Sequence, residues 1–188
     1  LSIPMDWYTT EIPDSVEIYA EPAFATVAAQ RAAPVAADIE DAVKTLAKAS
    51  RPAVLAGGGV LMSEAWDELT ALAEALHLPV VTSISGKGAI AETHPLSVGV
   101  CGRYSRKVAN DTLEECDALI VVGSRLGAMS TDTFKVPKRG TAIVHIDADA
   151  LNLGRSYREA VSICADAKVA LAMLTDAADQ AGLPGTPP

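Results

Sequence analysis

Several short apolar runs in this chain are followed by glycine, arginine or aspartate. These are residue types that commonly hold a nucleotide. Gly57-Gly58-Gly59 comes directly after the apolar run 52–56 and precedes a helical pattern. Glycines at such a turn let the backbone approach a diphosphate, and the N-terminus of the helix offers free N–H groups and a partial positive charge. A tight turn that needs left-handed glycine is the alternative. The motif departs from the dinucleotide fingerprint GxGxxG, because Met62 stands where the third glycine should be.

Polar residues also follow two later apolar runs. Ser124-Arg125 comes after the run 118–122, where a guanidinium could grip an anionic oxygen or form a salt bridge with one of the many carboxylates. Asp147 comes after the run 142–146, where a carboxylate accepts hydrogen bonds from ribose hydroxyls or caps the following turn. Asp166 can likewise accept a hydrogen bond from a ligand or simply cap the following helix. Arg103, beside Gly102, is a weaker candidate than Arg125 for binding an anionic oxygen.

No group of residues forms a recognisable catalytic or metal site. Gly86-Lys87-Gly88 lacks the first glycine and the hydroxyl of a phosphate loop, so Lys87 is predicted to be a solvated loop residue. His145 lies near Asp147, but without a GxSxG motif a lone strand histidine is typical of a satisfied core group. We predict no catalytic residue and no metal ligand. Small core positions are predicted for the three cysteines, which are Cys101, Cys116 and Cys164.

The hydrophobic pattern alternates between strands and helices. Strands are predicted over 52–56, 78–83, 118–122, 142–146 and 161–164. Helices are predicted from an Asp38 N-cap to residue 50, from a Ser63 N-cap to residue 76, over 105–116, and from an Asp166 N-cap to residue 178. A long irregular stretch is predicted between Gly86 and Gly102. This alternation requires right-handed crossovers and therefore predicts a doubly wound parallel α/β sheet, with the polar motifs beyond the C-terminal strand ends.

Composition limits the possible partners. The chain has 188 residues, 49% of them hydrophobic, which suffices for one domain of ordinary size. Its net charge of −9 argues against nucleic acid or an anionic membrane as a partner. No run approaches the roughly 18 apolar residues of a membrane span. Three cysteines without CxxC spacing predict a reduced, cytoplasmic setting.

Together these motifs resemble the central domain of the thiamine-diphosphate enzymes that include acetolactate synthase, oxalyl-CoA decarboxylase and glyoxylate carboligase. The resemblance covers most of the chain. It implies a three-layer, Rossmann-like doubly wound parallel sheet of about six strands, of the NAD/FAD-binding type that deoxyhypusine synthase also has. The segments that carry the resemblance are 51–59, 79–88, 94–99, 117–125 and 145–149.

The resemblance also implies a domain order. Residues 1–37 look like the end of a pyrimidine-binding domain with its linker, 38–180 like the central domain, and 181–188 like a linker to a missing diphosphate-binding domain. Thiamine diphosphate and magnesium would belong to the parent enzyme, a carboligase or decarboxylase and hence a transferase or lyase, while the isolated domain would be inactive. Its expected partners are the other two domains of the parent chain and, in a homo-oligomer, further copies.

Central domains of this family often hold an ADP-containing molecule such as FAD or coenzyme A, largely in a structural role. Acetolactate synthases usually continue the glycine-x-arginine motif with Phe-Asp-Asp-Arg, whereas this chain has Leu126-Gly127-Ala128-Met129, a departure that weakens the case for a flavin. The positions that match the family's cofactor-binding residues are Gly57, Gly58, Gly59, Thr82, Ser83, Gly102, Arg103, Ser124, Arg125, Asp147, Asp166 and Ala167.

Two other classes of protein fit the chain less well. An independent Rossmann-type nucleotide-binding protein or NAD-dependent oxidoreductase would need the complete glycine fingerprint and an acid or base beside it, and the sequence has neither. A sirtuin would need zinc-binding cysteines and its own catalytic histidine motif, which are also missing.

Overall fold

The computed structural model describes residues 2, 4–17, 19–26 and 30–183. Two short 3-10 helices, Met5–Thr9 and Pro22–Phe24, occur in the N-terminal part. Residues 1 and 3 of the predicted domain end, and residues 184–188 of the predicted C-terminal linker, lie outside the described residues. Within the described part, no helix combines the length and the apolar character that crossing a membrane requires.

Six parallel strands form one sheet in the order β3-β2-β1-β4-β5-β6. The chain therefore winds outward from β1 in one direction, returns to β4, and winds outward in the other, so the order reverses between β1 and β4. This confirms the predicted doubly wound α/β fold and its strand number. The strands are β1 (Pro52–Ala56), β2 (Val80–Thr82), β3 (Ser97–Val100), β4 (Ala118–Val122), β5 (Ala142–Asp147) and β6 (Val161–Cys164).

Helices cover both faces of the sheet and complete the predicted three layers. One face packs against α1, α3 and α5 in a large apolar cluster, and the other packs against α4 together with Leu126, Val136 and Tyr157. All five residues of β4 are buried, as expected for a central parallel strand covered on both sides. The helices are α1 (Ala36–Leu46), α2 (Gly58–Met62), α3 (Trp66–Leu76), α4 (Lys107–Glu115) and α5 (Ala167–Gln180).

Three local predictions were wrong. The stretch 86–102, predicted to be irregular, contains edge strand β3. This strand is only half-buried, its register shifts, and Gly99 has a φ of 106°. Its sequence therefore lacks the apolar pattern of a buried strand. Helix α1 begins at Ala36, which puts Asp38 in the first turn instead of at the N-cap. Ser63 does not cap α3: the segment after β1 first forms the short α2, and the buried Ser63 hydroxyl bonds to Asp166 instead.

Cys164 also departs from its prediction. Cys101 and Cys116 are buried as expected, but Cys164 is exposed, because alternate residues of edge strand β6 face solvent. Burial raises the pKa of the Cys101 thiol to about 12 and that of the Cys116 thiol to about 12. Only the thiolate form of cysteine reacts readily.

We therefore expect one thiol of the folded protein to react quickly with a chromogenic disulfide reagent at pH 8. The two buried thiols should react at least about a thousandfold more slowly, given their raised pKa and lack of access. Stopped-flow absorbance would measure the rates, with Cys164→Ser as the control that removes the fast phase. Two or more fast thiols in the folded wild type would show that this burial pattern is wrong.

Candidate functional site

A cleft of about 940 Å³ lies beyond the C-terminal ends of the strands, around the point where the strand order reverses. Its walls come from chain segments that follow β2, β1, β4, β5 and β6, including residues of 83–85, 123–130, 146–149 and 165–167. Its size falls in the range of small-molecule and cofactor sites. A second cavity of about 200 Å³, at the opposite ends of the strands, is lined mainly by apolar side chains, and none of the described residues that line it is charged.

The cleft brings together most of the site residues that the sequence predicts. Gly57 and Thr82 are not among the residues that line the cleft. Gly102 and Arg103 lie behind it: a Cβ on Gly102 would be 1.9 Å from the Met129 carbonyl oxygen, to which the Arg103 N–H donates. These two residues support the Met129 segment from outside the cleft. The predicted residues that do line the cleft are Gly58, Gly59, Ser83, Ser124, Arg125, Asp147, Asp166 and Ala167.

The triple glycine lets two backbones cross in contact. A Cβ on Gly57 would lie 2.1 Å from the Gly123 carbonyl oxygen, and a Cβ on Gly59 would lie 2.6 Å from the Gly123 Cα. Two of the three glycine amides are used within the fold, because Gly57 N–H donates to the Val122 carbonyl (2.8 Å) and Gly59 N–H to the Gly123 carbonyl (3.0 Å). Gly57 has φ −98°, so the requirement is for space and not for left-handed backbone. Among the described residues, no backbone acceptor faces the Gly58 N–H, which lies at the cleft.

Arg125 reaches the cleft from the turn after β4. Ser124 is buried, whereas Arg125 is exposed and Leu126 is buried again. The alternative of a structural salt bridge is not supported, since no ion pair found within the described residues includes Arg125. Its guanidinium is therefore available to an anionic ligand.

Asp147 caps the turn after β5, as one of its two predictions has it, and it also lines the cleft. Its Oδ1 accepts from the Asp149 N–H (2.9 Å) and from the Asn152 side-chain amide (3.1 Å), which caps the turn after β5. Its side chain lines the cleft although the residue is only 8% exposed. Oδ2 has no partner among the described residues, so one oxygen remains to accept a hydrogen bond from a ligand.

Asp166 caps α5 and also binds the segment before α1, residues 30–35, which is called the connector below. It accepts from the N–H groups of Lys168 and Val169, as predicted for an N-cap. The Arg31 Nη1 atom lies 3.0 Å from both carboxylate oxygens of Asp166, and the Ser63 hydroxyl donates to Oδ2 at 2.7 Å. Burial alone would raise the pKa of Asp166, but the hydrogen bonds from Ser63, Arg31 and Val169 N–H outweigh it and hold the pKa below its ordinary value.

Sequence reasoning missed Arg31 and Ser63 as members of this network. Ala32, beside Arg31, accepts a hydrogen bond from the Asp166 N–H and lines the cleft, so the connector forms part of its wall. No local pattern could have revealed this, because Arg31 and Asp166 are 135 positions apart. The one available signal was a basic residue, Arg31, in a segment whose apolar residues follow neither the helical nor the strand repeat.

The donor set of the cleft does not suit a metal-bound diphosphate cofactor of the thiamine type. Within the part of the chain that the structure describes, no group of three or more His, Cys, Asp or Glu side chains could hold a metal ion. Asp166 is already committed to Arg31 and to the α5 cap. A metal-free nucleotide, held by amides, a guanidinium and a single carboxylate oxygen, fits these residues.

Comparison with known proteins defines the class of domain to which this fold and cleft belong. The model of the family "Thiamine pyrophosphate enzyme, central domain" matches residues 39–174, and the chain belongs to this family. It is 44% identical over 133 residues to the "Probable acetolactate synthase large subunit" of Methanococcus aeolicus, covering 71% of this chain and 22% of that protein.

Two further relatives support the same assignment. The glyoxylate carboligase of Escherichia coli O157:H7 is 32% identical over 181 residues, covering 96% of this chain and 30% of that protein. A solved structure assigned as a thiamin diphosphate-dependent enzyme from Mycobacterium smegmatis matches 84% of this chain and 29% of its own, with a TM-score of 0.66 and 26% identity. The chain thus spans between a fifth and a third of the length of these relatives.

Proposed function

We propose that this chain is the central domain of a larger thiamine-diphosphate-dependent carboligase or decarboxylase, in which it binds an ADP-containing molecule and performs no chemistry itself. The observation that carries the proposal is the cleft, where eight predicted positions from well-separated segments meet. It contains a guanidinium and a half-used carboxylate, and the described residues that line it include no organised acid–base pair. Such a site suits binding and orientation of a ligand better than catalysis.

The residues present suggest how an ADP group would be held. The Arg125 guanidinium and the amides of Gly58 and Ala167, the first residue of the 14-residue α5, supply donors for the diphosphate. Asp147 Oδ2 supplies an acceptor for a ribose hydroxyl. Exposed Met62 and Ile84 at the rim supply apolar contact for a flat ring.

Charge favours ADP itself over coenzyme A. Asp147 and Asp149 line the cleft without a basic partner among the described residues, and these carboxylates would repel the additional ribose phosphate that coenzyme A carries. FAD is the second candidate. The segment after Arg125 does not favour a flavin, since Leu126 is buried in the core and does not line the cleft.

The same family membership also suggests a domain organisation. We propose that residues 1–37 connect to a pyrimidine-binding domain, that 38–180 form the central domain, and that 181–188 lead to a diphosphate-binding domain. The match over residues 39–174 and the small share of each relative's length support this arrangement. Thiamine diphosphate and magnesium would then be bound by those other domains, in a cytoplasmic homo-oligomer.

Calorimetric titration of the chain with ADP, FAD and coenzyme A tests this function. We expect ADP to bind, coenzyme A to bind at least about tenfold more weakly, and Arg125→Gln to weaken ADP binding about tenfold, the loss of one charge-assisted hydrogen bond. Arg139→Gln, which changes an exposed arginine outside the cleft, is the matched control and should bind ADP normally. Absence of heat with all three ligands would overturn the proposal.

A further inference from the structure

A buried histidine and glutamate lie directly behind the turn that carries Arg125. The His145 side chain on β5 is 1% exposed and that of Glu159 is 4% exposed, and His145 Nδ1 lies 2.6 Å from Glu159 Oε1. The other ring nitrogen, Nε2, lies 2.9 Å from the Ser124 carbonyl oxygen. The prediction that His145 is a satisfied core group is thus confirmed. One of its two partners, the Ser124 carbonyl, belongs to a residue that lines the cleft.

The hydrogen bonds determine where the protons of this pair lie. A carbonyl oxygen can only accept, so His145 Nε2 must carry a hydrogen. The short contact between Nδ1 and Glu159 needs a second proton between the two atoms. Glu159 also accepts from the Gly154 N–H at 2.7 Å and from the Ser162 hydroxyl, and both of these donors favour its ionised form. With the Glu159 carboxylate ionised, both ring nitrogens donate, Nδ1 to Glu159 and Nε2 to the Ser124 carbonyl.

The network holds the Arg125 peptide from both sides. The Ser124 carbonyl is fixed by His145, and the Arg125 carbonyl accepts from the Ser156 hydroxyl at 3.2 Å. The next residue, Leu126, is anchored in the core at 1% exposure with a left-handed φ of 48°. Between these fixed points lies Arg125, an exposed residue that lines the cleft.

We propose that His145 is a positioning residue for the ligand: held between Glu159 and the Ser124 carbonyl, it fixes the Ser124–Arg125 peptide so that the guanidinium faces the cleft. This inference rests on the proposed binding of an ADP-containing molecule. Removal of the imidazole lets the turn after β4 relax, and Arg125 then loses its orientation towards the anionic ligand. The effect on affinity passes through Arg125, because His145 does not itself line the cleft.

A double-mutant cycle on ADP affinity tests the positioning role. His145→Phe keeps an aromatic ring but removes both hydrogen bonds, and it should weaken ADP binding at least tenfold. Arg125→Gln, which costs about tenfold in the wild type, should cost less than threefold when added to His145→Phe, because the guanidinium is already misplaced. A full tenfold loss in both backgrounds would mean that His145 contributes only to stability. His94→Gln, a histidine outside the cleft, is the control.

The protonation state gives a readout that is independent of ligand binding. Long-range ¹⁵N–¹H correlation spectra of the imidazole should show a hydrogen on both nitrogens of His145 at pH 7.5, and Glu159→Gln, which keeps the shape of the side chain, should remove one of them. A single ring N–H in the wild type would overturn the inference even if ADP binds. Two ring hydrogens without any ADP binding would instead contradict the proposed function. If His145→Phe does not fold, Glu159→Gln replaces it in the affinity test. We expect this variant to lose at least threefold in ADP affinity, and an unchanged affinity would contradict the positioning role.

Discussion

Replacing Gly123 with alanine is expected to lower the free energy of unfolding by about 3 kcal/mol or more, a large part of the stability of a domain of this size. The new Cβ would lie 2.5 Å from the Gly59 Cα and 2.9 Å from the Gly59 nitrogen, closer than any packing allows. Gly123 also has a left-handed φ of 58°, which disfavours alanine in any surroundings. Both neighbours are backbone, so neither can move aside without displacing β4 or α2.

Urea unfolding followed by circular dichroism measures this effect. Gly127→Ala is the matched control, because Gly127 lies four residues further along the same segment with an ordinary φ and no atom within 4 Å of an added Cβ. It should change the free energy of unfolding by less than about 0.5 kcal/mol. Similar losses for the two variants would show that the contact between the backbones of α2 and the β4 turn does not hold the cleft together.

Asp166→Ala is expected to cost about 3 kcal/mol of unfolding free energy at pH 7. The change removes the N-cap of α5, which is worth about 1 kcal/mol. It also leaves the buried Ser63 hydroxyl and the partly buried Arg31 guanidinium without their shared acceptor, which costs about 2 kcal/mol more. Asp41→Ala removes an exposed carboxylate that pairs with Lys44 and should cost less than about 0.5 kcal/mol.

The stability difference between wild type and Asp166→Ala should also depend on pH. The pKa of Asp166 is held below its ordinary value of 3.8 in the folded chain, so its contribution is fully present above that value. As the pH falls through the lower folded pKa, the carboxylate is protonated and the contribution is lost. Urea unfolding from about pH 5 downward should therefore show the two proteins converging in stability. A difference that grows towards acid would contradict the network.

The sequence predicted the sheet well because its central strands are unbroken apolar runs buried on both faces. The run at 118–122 has this pattern and its bounds match β4. Edge strand β3 escaped prediction because half of its surface faces solvent and Gly99 interrupts it. The Asp166 N-cap was also readable from the local sequence, whereas the caps predicted at Asp38 and Ser63 were wrong because those helices begin at other residues.

The site was predictable only in outline. Topology alone places the motifs after β1, β4 and β5 at one edge of the sheet, which explains why Gly58, Arg125 and Asp147 meet in the cleft. Contacts between distant segments were not predictable. Neither the Gly57–Gly123 crossing nor the Arg31–Asp166 pair has a local sequence pattern, since each depends on how two segments far apart in the chain pack.

Mapping ADP on the backbone amides of the chain tests the central claim most directly. In ¹H–¹⁵N correlation spectra, added ADP should shift the amides of Gly58, Arg125, Asp149 and Ala167 in a saturable way and leave those around Leu46 and Leu183, at the opposite ends of the strands, unchanged. Saturable shifts at those opposite ends alone, or no shifts at millimolar ADP, would mean that the strand tips do not form a nucleotide site.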